Sequence, residues 1–185
     1  MGEDVRPDAV LGLDVSTSCV GVCVLPVEKE VDRRLDRMDF KGCDGFWRKA
    51  EFARDYLREL RDDSRWKISA VSIEEPLLGF TGGKSSAKTI TSLVRFNGIV
   101  SYLCLETFGI DPTYVNVNSA RKSCGIKLTP RKVGGPQKEQ VFKHMSERDL
   151  KDVVWPTKKS GKIVDWAGDA TDAYVIAKSY LLGMK

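Results

Sequence analysis

Two short apolar runs near the start of the chain, AVLGLDV at residues 9–15 and SCVGVCVL at 18–25, constrain the fold most. Each has the length of a strand, and only Ser16 and Thr17 separate them. Strand-length runs joined by so tight a Ser/Thr link predict a β-hairpin. Leu35 to Phe40 can supply a third strand. Phe46, Ala50, Ala53, Leu57 and Leu60 then recur at helical spacing through Arg61. Residues 68–74 form a second strongly apolar strand, and the Gly-rich link GFTGGKSS leads into a long helical pattern over 87–108. A short strand from Thr113 to Val117, a helix over 137–148 and a closing helix over 168–182 complete the order. A hairpin meander followed by strand–helix alternation predicts an α/β fold, a mixed central sheet flanked by helices.

The 185 residues and 42% hydrophobic content suit one domain spanning 1–185. No apolar run reaches the length of a membrane span, so no membrane partner is expected. The start, MGEDVRPDAV, is acidic and polar, unlike a signal or transit peptide, and Arg6 stands where a myristoylation signal wants Ser or Thr. The expectation is a soluble, intracellular protein. Five cysteines without a Cys-x-x-Cys pair, and His144 as the lone histidine, argue against a zinc site and for reduced thiols. His144 reads as part of an ordinary amphipathic helix.

The formal charge of +4 is a modest excess, but its distribution is uneven. RKSCGIKLTPRKVGGPQK, residues 121–138, holds six cationic residues and no acid, and KKSGK at 158–162 repeats the pattern. One-signed blocks suit a polyanion, with nucleic acid first, although a solvated loop has the same composition. Segment 121–138 contains Gly-Gly-Pro and is the one place where mobility is expected. Trp155 and Trp166 flank the second block, as core or lid packing or as platforms for a splayed base.

The acids carry the chemistry. Asp14 ends the first strand, where a charge is costly unless it is paired or holds a cation. A turn aspartate bonding the amides of Ser16 or Thr17 is the simpler reading for one such residue. SIEEP places Glu74 and Glu75 at the end of the 68–74 strand. Alternation puts Glu74 on the face of Ser72 and Ala70, the less apolar one, which favours Glu74 as the site residue. In GDATDAYVIAKSY, Asp169 and Asp172 lie three apart on one helical face. N-capping accounts for Asp169 but less well for Asp172, which precedes the apolar AYVIA. Four converging carboxylates with no histidine would repel one another unless divalent cations neutralise them. Such ligands suit Mg²⁺, with Mn²⁺ as substitute, and two ions about 4 Å apart can clamp a phosphodiester displacement.

LGLDVSTSCVGVCVL resembles the opening of RuvC-type Holliday junction resolvases in the RNase H-like superfamily. SIEEP resembles that family's strand-end Glu, and GDATDAYVIAKSY its closing helix. GIKLTPRKVGGPQKEQVFKHM resembles the segment carrying its DNA-binding lysines. The four motifs occur in family order over most of the chain. The resemblance implies an RNase H-like fold and a divalent-metal-dependent endodeoxyribonuclease that resolves four-way junctions, leaving 5′-phosphate ends. It implies Asp14, Glu74, Asp169 and Asp172 as the catalytic, metal-binding set, with two Mg²⁺ per site. Lys127 and Lys138 would contact phosphates, with Arg131, Lys132 and Lys84 as further DNA contacts. Leu77, Leu78 or Phe80 would stand where the family places an apolar wedge. Branched DNA and a second copy of the chain are the implied partners, with the 87–108 helix as dimer surface or as ordinary sheet packing. The location would be wherever the DNA is: cytoplasm, nucleus or organelle. Ser16 in place of a typical Gly, a long charged 28–45 region and a heavily basic loop depart from the family pattern. These departures leave activity on forks and flaps open.

Other readings fit parts of the same sequence. An RNase H-like nuclease could act on RNA or RNA–DNA hybrid, and a scaffold of this kind could bind branched nucleic acid without cutting. The hairpin also resembles the phosphate-binding hairpin of sugar kinases and actin-like ATPases. Those need a second such hairpin, which the sequence lacks.

Overall fold

A computed structural model describes residues 4–28, 33–76 and 87–183. Strands β1 (Asp8–Val15), β2 (Cys19–Pro26) and β3 (Arg34–Asp39) form an antiparallel meander. Helix α1 (Phe46–Asp62) returns the chain to β4 (Lys67–Glu74), which pairs parallel to β1. Helix α2 (Ala87–Phe108) leads to β5 (Thr113–Val115), parallel to β4. The sheet order is β3-β2-β1-β4-β5. The expected mixed sheet flanked by helices is therefore the observed one.

Side-chain alternation divides the sheet into two faces with different partners. Ala9, Leu11, Leu13 and Val15 of β1, with Val20, Val22, Val24, Val71 and Ile73, pack against α1 and α2. Ala53, Leu57 and Leu60, spaced along one side of α1, are fully buried there. Val10, Cys23 and Ala70 belong to the opposite face, packed on α6 (Trp166–Gly183). Asp14 and Glu74 share the parity of Val10 and Ala70, so the α6 face carries both acids.

Two glycines set how closely α6 lies on the sheet. A Cβ added at Gly12 would sit 2.3 Å from the Ala173 carbonyl, and one at Gly21 would sit 2.2 Å from that of Asp169. No side chain fits at either distance, so helix backbone rests directly on strand backbone. The α6 residues from Ala170 to Ala177 are all buried, and the alanines among them let the helix sink to that depth.

The region after β5 differs from the sequence expectation. The strand stops at Val115 rather than Val117, because the Asn116 side chain accepts from the Asn118 and Ser119 amides at 3.0 and 3.3 Å. That cap starts α3 (Val117–Ser123), a helix the apolar pattern does not announce. A single turn, α4 (Arg131–Gly134), and α5 (Gln137–Ser146) follow. Gln140 ties the turn together, accepting from the Thr129 amide and donating to the Thr129 and Gly135 carbonyls. Helix α6 begins at Trp166, two residues before the expected start. Asp169 is thus inside the first turn and is not the N-cap.

Candidate active site

The β1–β2 turn is held by Ser16. Its Oγ accepts from the Ser18 and Cys19 amides at 3.3 and 3.1 Å and donates to the Cys19 carbonyl at 2.7 Å. This fills the turn role considered for Asp14 and gives the serine at that position a structural reason. The carboxylate of Asp14 faces Glu74 and α6 instead.

Four sequence-predicted acids meet at one end of the sheet. Asp14 and Glu74 arrive on adjacent parallel strands, whose register runs Gly12 to Ser72 and Leu13 to Ile73. Asp169 and Asp172 descend from the first turns of α6. Lys138 of α5 links three of them. Its ammonium lies 4.0 Å from Asp14 Oδ2 and 3.7 Å from Asp172 Oδ2, and it donates to Asp169 Oδ1. Glu75 is exposed, and its amide donates to the Val115 carbonyl, so the neighbouring acid steadies the strand end.

The electrostatics show the strain of this convergence. Burial, then the neighbouring Glu74, raises Asp14 well above the ordinary carboxylate range. Burial, then the charge of Asp14, raises Asp172 to about 7. Burial lowers Lys138, but the hydrogen bond it donates to Asp169 and the charges of Asp14, Asp169 and Asp172 outweigh it and hold the ammonium firmly charged. Asp172 Oδ1 is buried and has no hydrogen-bond partner among the described residues. Four carboxylates against the nearby cations Lys138 and Arg121 leave two negative charges unbalanced when all ionise.

Three contributors were not legible as such. Arg121 of α3, only 13% exposed, brings its guanidinium 3.7 Å from Asp172 Oδ1. The sequence places it in a basic block that suits a polyanion or a solvated loop. The signal was its position four residues after Val117 and one after Ala120, both buried on the same helical face. Cys19 donates its thiol to Asp169 Oδ2 at 3.3 Å, and burial followed by the charge of Asp169 raises its pKa. Gly21 opens the space in which Asp169 sits.

Of the expected DNA contacts, Lys127, Arg131 and Lys132 are exposed on the α3–α5 segment, whereas Lys138 points into the acids. Lys84, Leu77, Leu78 and Phe80 lie outside the described residues. Trp155 and Trp166 pack edge to face at 6.2 Å, with Phe142 5.5 Å from Trp155, so the rings pack on one another. The five cysteines are free thiols. Among the described residues no helix is long and apolar enough to cross a membrane.

No protein-family profile matches the sequence, and no curated protein sequence matches it. Solved structures do match. The Thermus thermophilus RuvC bound to a Holliday junction substrate aligns with TM-score 0.64 at 14% identity, over 95% of this chain and 94% of that one. A second Thermus thermophilus RuvC structure aligns with TM-score 0.61 at 16% identity, over 95% of each chain. The fold is that of RuvC. The yeast mitochondrial Holliday junction resolvase Ydc2 shares it, with TM-score 0.57 at 11% identity over 96% of this chain and 79% of its own.

The donor set suits hard divalent cations. Among the described residues it offers carboxylate oxygens, one of them buried with no hydrogen-bond partner there, and an excess of negative charge when all ionise. Among the described residues the acids do not close into a finished coordination shell, and the Lys138 ammonium supplies positive charge at their centre.

Proposed function

We propose that the protein is a structure-selective endonuclease that resolves four-way DNA junctions by metal-assisted hydrolysis of a phosphodiester bond. The observation that carries this reading is the meeting of Asp14, Glu74, Asp169 and Asp172 in a pocket whose charge is left unbalanced. The RuvC-like fold supports it, as do the exposed cations of the segment that leads into the helix carrying Lys138.

Asp14, Glu74 and Asp172, with Asp169, would hold two Mg²⁺ or Mn²⁺ per site. Such ions supply charge stabilisation for the phosphorane-like transition state and ease ionisation of the attacking water. The chain's own residues do the rest. Arg121 holds the Asp172 carboxylate in place, and Gly12 and Gly21 keep α6 close enough for its acids to reach the sheet. Lys138 balances part of the acid charge in the free protein and stands where a phosphate drawn to the site meets a cation. Lys127, Arg131 and Lys132 grip the backbone nearby.

The test is a gel of end-labelled four-way junction, fork, linear duplex and RNA–DNA hybrid with Mg²⁺, Mn²⁺ or EDTA. The expected result is junction cleavage with either metal, none in EDTA, and 5′-phosphate, 3′-hydroxyl ends. Cleavage of the hybrid alone would move the substrate to RNA, and binding without cleavage would make the protein a non-catalytic module. Replacing Lys127, Arg131 and Lys132 together with Ala should flatten the dependence of log affinity on log salt by roughly 2 to 3. An unchanged slope removes the segment from the interface.

We further propose a homodimer, which would present the same site twice to a two-fold symmetric junction. Helix α2 supports this. Phe96, Val100 and Cys104 pack inward, while Val94, Tyr102 and Leu105 stay 36%, 62% and 40% exposed. A Cβ at Gly98, on that outer stripe, would meet nothing among the described residues. Tyr102→Glu combined with Leu105→Glu should convert a dimer to a monomer in sedimentation. A double variant that sediments as the wild type does would exclude this surface.

A further inference from the structure

We propose that the hairpin over residues 157–163 is a second grip on the nucleic-acid backbone, reaching the substrate from the α6 side of the acid pocket. This deepens the nuclease reading and takes its substrate from it.

The KKSGK block is an ordered structure. Thr157 and Ile163 pair as an antiparallel bridge, and the Lys158 amide donates to the Lys162 carbonyl at 2.7 Å. The Gly161 amide donates to the Lys158 carbonyl at 2.9 Å, and Gly161 takes the left-handed φ of +79° that closes the turn. The Val164 amide returns to the Pro156 carbonyl at 3.1 Å, closing the neck. Beneath the neck, Trp155 and Trp166 pack together, and the Arg37 guanidinium lies 5.7 Å from the Trp166 ring centre. A solvated loop needs neither a closed neck nor an aromatic footing.

The three lysines are used differently. Lys158 turns back to Asp165 at 2.6 Å and pins the arm. Lys159 and Lys162 are exposed and have no ion-pair partner among the described residues. An arm whose shape is already set loses little conformational freedom when it binds, so both free cations can act at small entropic cost.

Position decides what they reach. The hairpin runs into α6, and Asp169 lies in that helix's first turn. Three residues from Ile163 to Trp166 span at most about 11 Å, and the rise from Trp166 to Asp169 adds about 4.5 Å. The arm's root is therefore within about 15 Å of the acids, the axial length of roughly four base pairs. Lys138 packs over Gly168 in the same turn, with its side-chain carbons 2.8 to 3.3 Å from where a Cβ would stand. The α3–α5 cations thus reach the pocket through Lys138, and the hairpin reaches it along the chain that enters α6.

The experiment is binding of a fluorescent four-way junction in EDTA across 50 to 200 mM salt, by wild type and by Lys159→Ala/Lys162→Ala. Two lost phosphate contacts should reduce the salt slope by roughly 1.8, so the wild type's affinity advantage falls about tenfold across that range. Lys159→Arg/Lys162→Arg should restore the slope, and the thermal midpoint of the Ala variant should stay at the wild-type value. An unchanged slope in the Ala variant overturns the hairpin's role. Wild type that binds but does not cut in Mg²⁺ sinks the nuclease reading alone, and wild type that binds no DNA sinks both.

Discussion

Asp14→Asn should abolish junction cleavage while sparing or tightening DNA binding. Asn keeps the shape of the side chain and removes the charge that faces both Glu74 and α6. Under the proposed mechanism this weakens cation holding at the centre of the cluster. A rate loss of at least about a thousandfold, on the order of 4 kcal/mol in barrier, is expected. Binding should hold because one negative charge fewer confronts the phosphates. Single-turnover cleavage and a parallel binding titration measure the two effects separately. Wild-type cleavage by the variant would show that Asp14 is not part of the machinery.

Acidification should stabilise the metal-free protein, against the usual trend of carboxylate-rich folds. Asp172 titrates at about 7 in the fold, against 3.8 ordinarily, because it is buried and faces Asp14. Between those values the folded state holds a proton that the unfolded chain has lost, so stability falls as pH rises through the window. Asp172 alone accounts for about 4 kcal/mol at most, and Asp14 shifts in the same direction. Asp36 and Asp63 are shifted down, through their pairing with Arg34 and Arg65. Their contribution is lost only below the ordinary carboxylate range, outside this window. His144, lowered by burial and then by Arg148, works against the trend.

In EDTA the melting temperature should therefore be higher at pH 5 than at pH 8. Mg²⁺ should raise it strongly at pH 8 and weakly at pH 5, where protons already neutralise the acids. Asp14→Asn should flatten the pH dependence, and His144 contributes equally to both proteins in that comparison. A metal-free melting temperature that climbs from pH 5 to pH 8, with no response to Mg²⁺, would show that the acids do not crowd one another.

Much of the site was legible because strand parity is a local property. Ala70, Ser72 and Glu74 alternate with Val71 and Ile73, and that pattern alone separated Glu74 from Glu75. The i, i+3 spacing put Asp169 and Asp172 on one face for the same reason. Asp169 was nevertheless misread as a cap, since the turns that begin α6 come from the Val164 and Asp165 carbonyls, which no side-chain pattern marks. Helix α3 was missed because seven residues carry too little periodicity to stand out from a basic block.

The order of strands and helices, the side of the sheet that each strand-end acid faces and the basic character of two segments follow from the chain itself. They depend on neighbours within a few residues, where backbone geometry fixes direction. Which cations lie among the acids was settled only by tertiary packing. Arg121, Lys138 and Asp172 come from three helices, and their meeting depends on α6 lying against bare backbone at Gly12 and Gly21. Electrostatic energy depends on distances in space, and a sequence records those only along the chain.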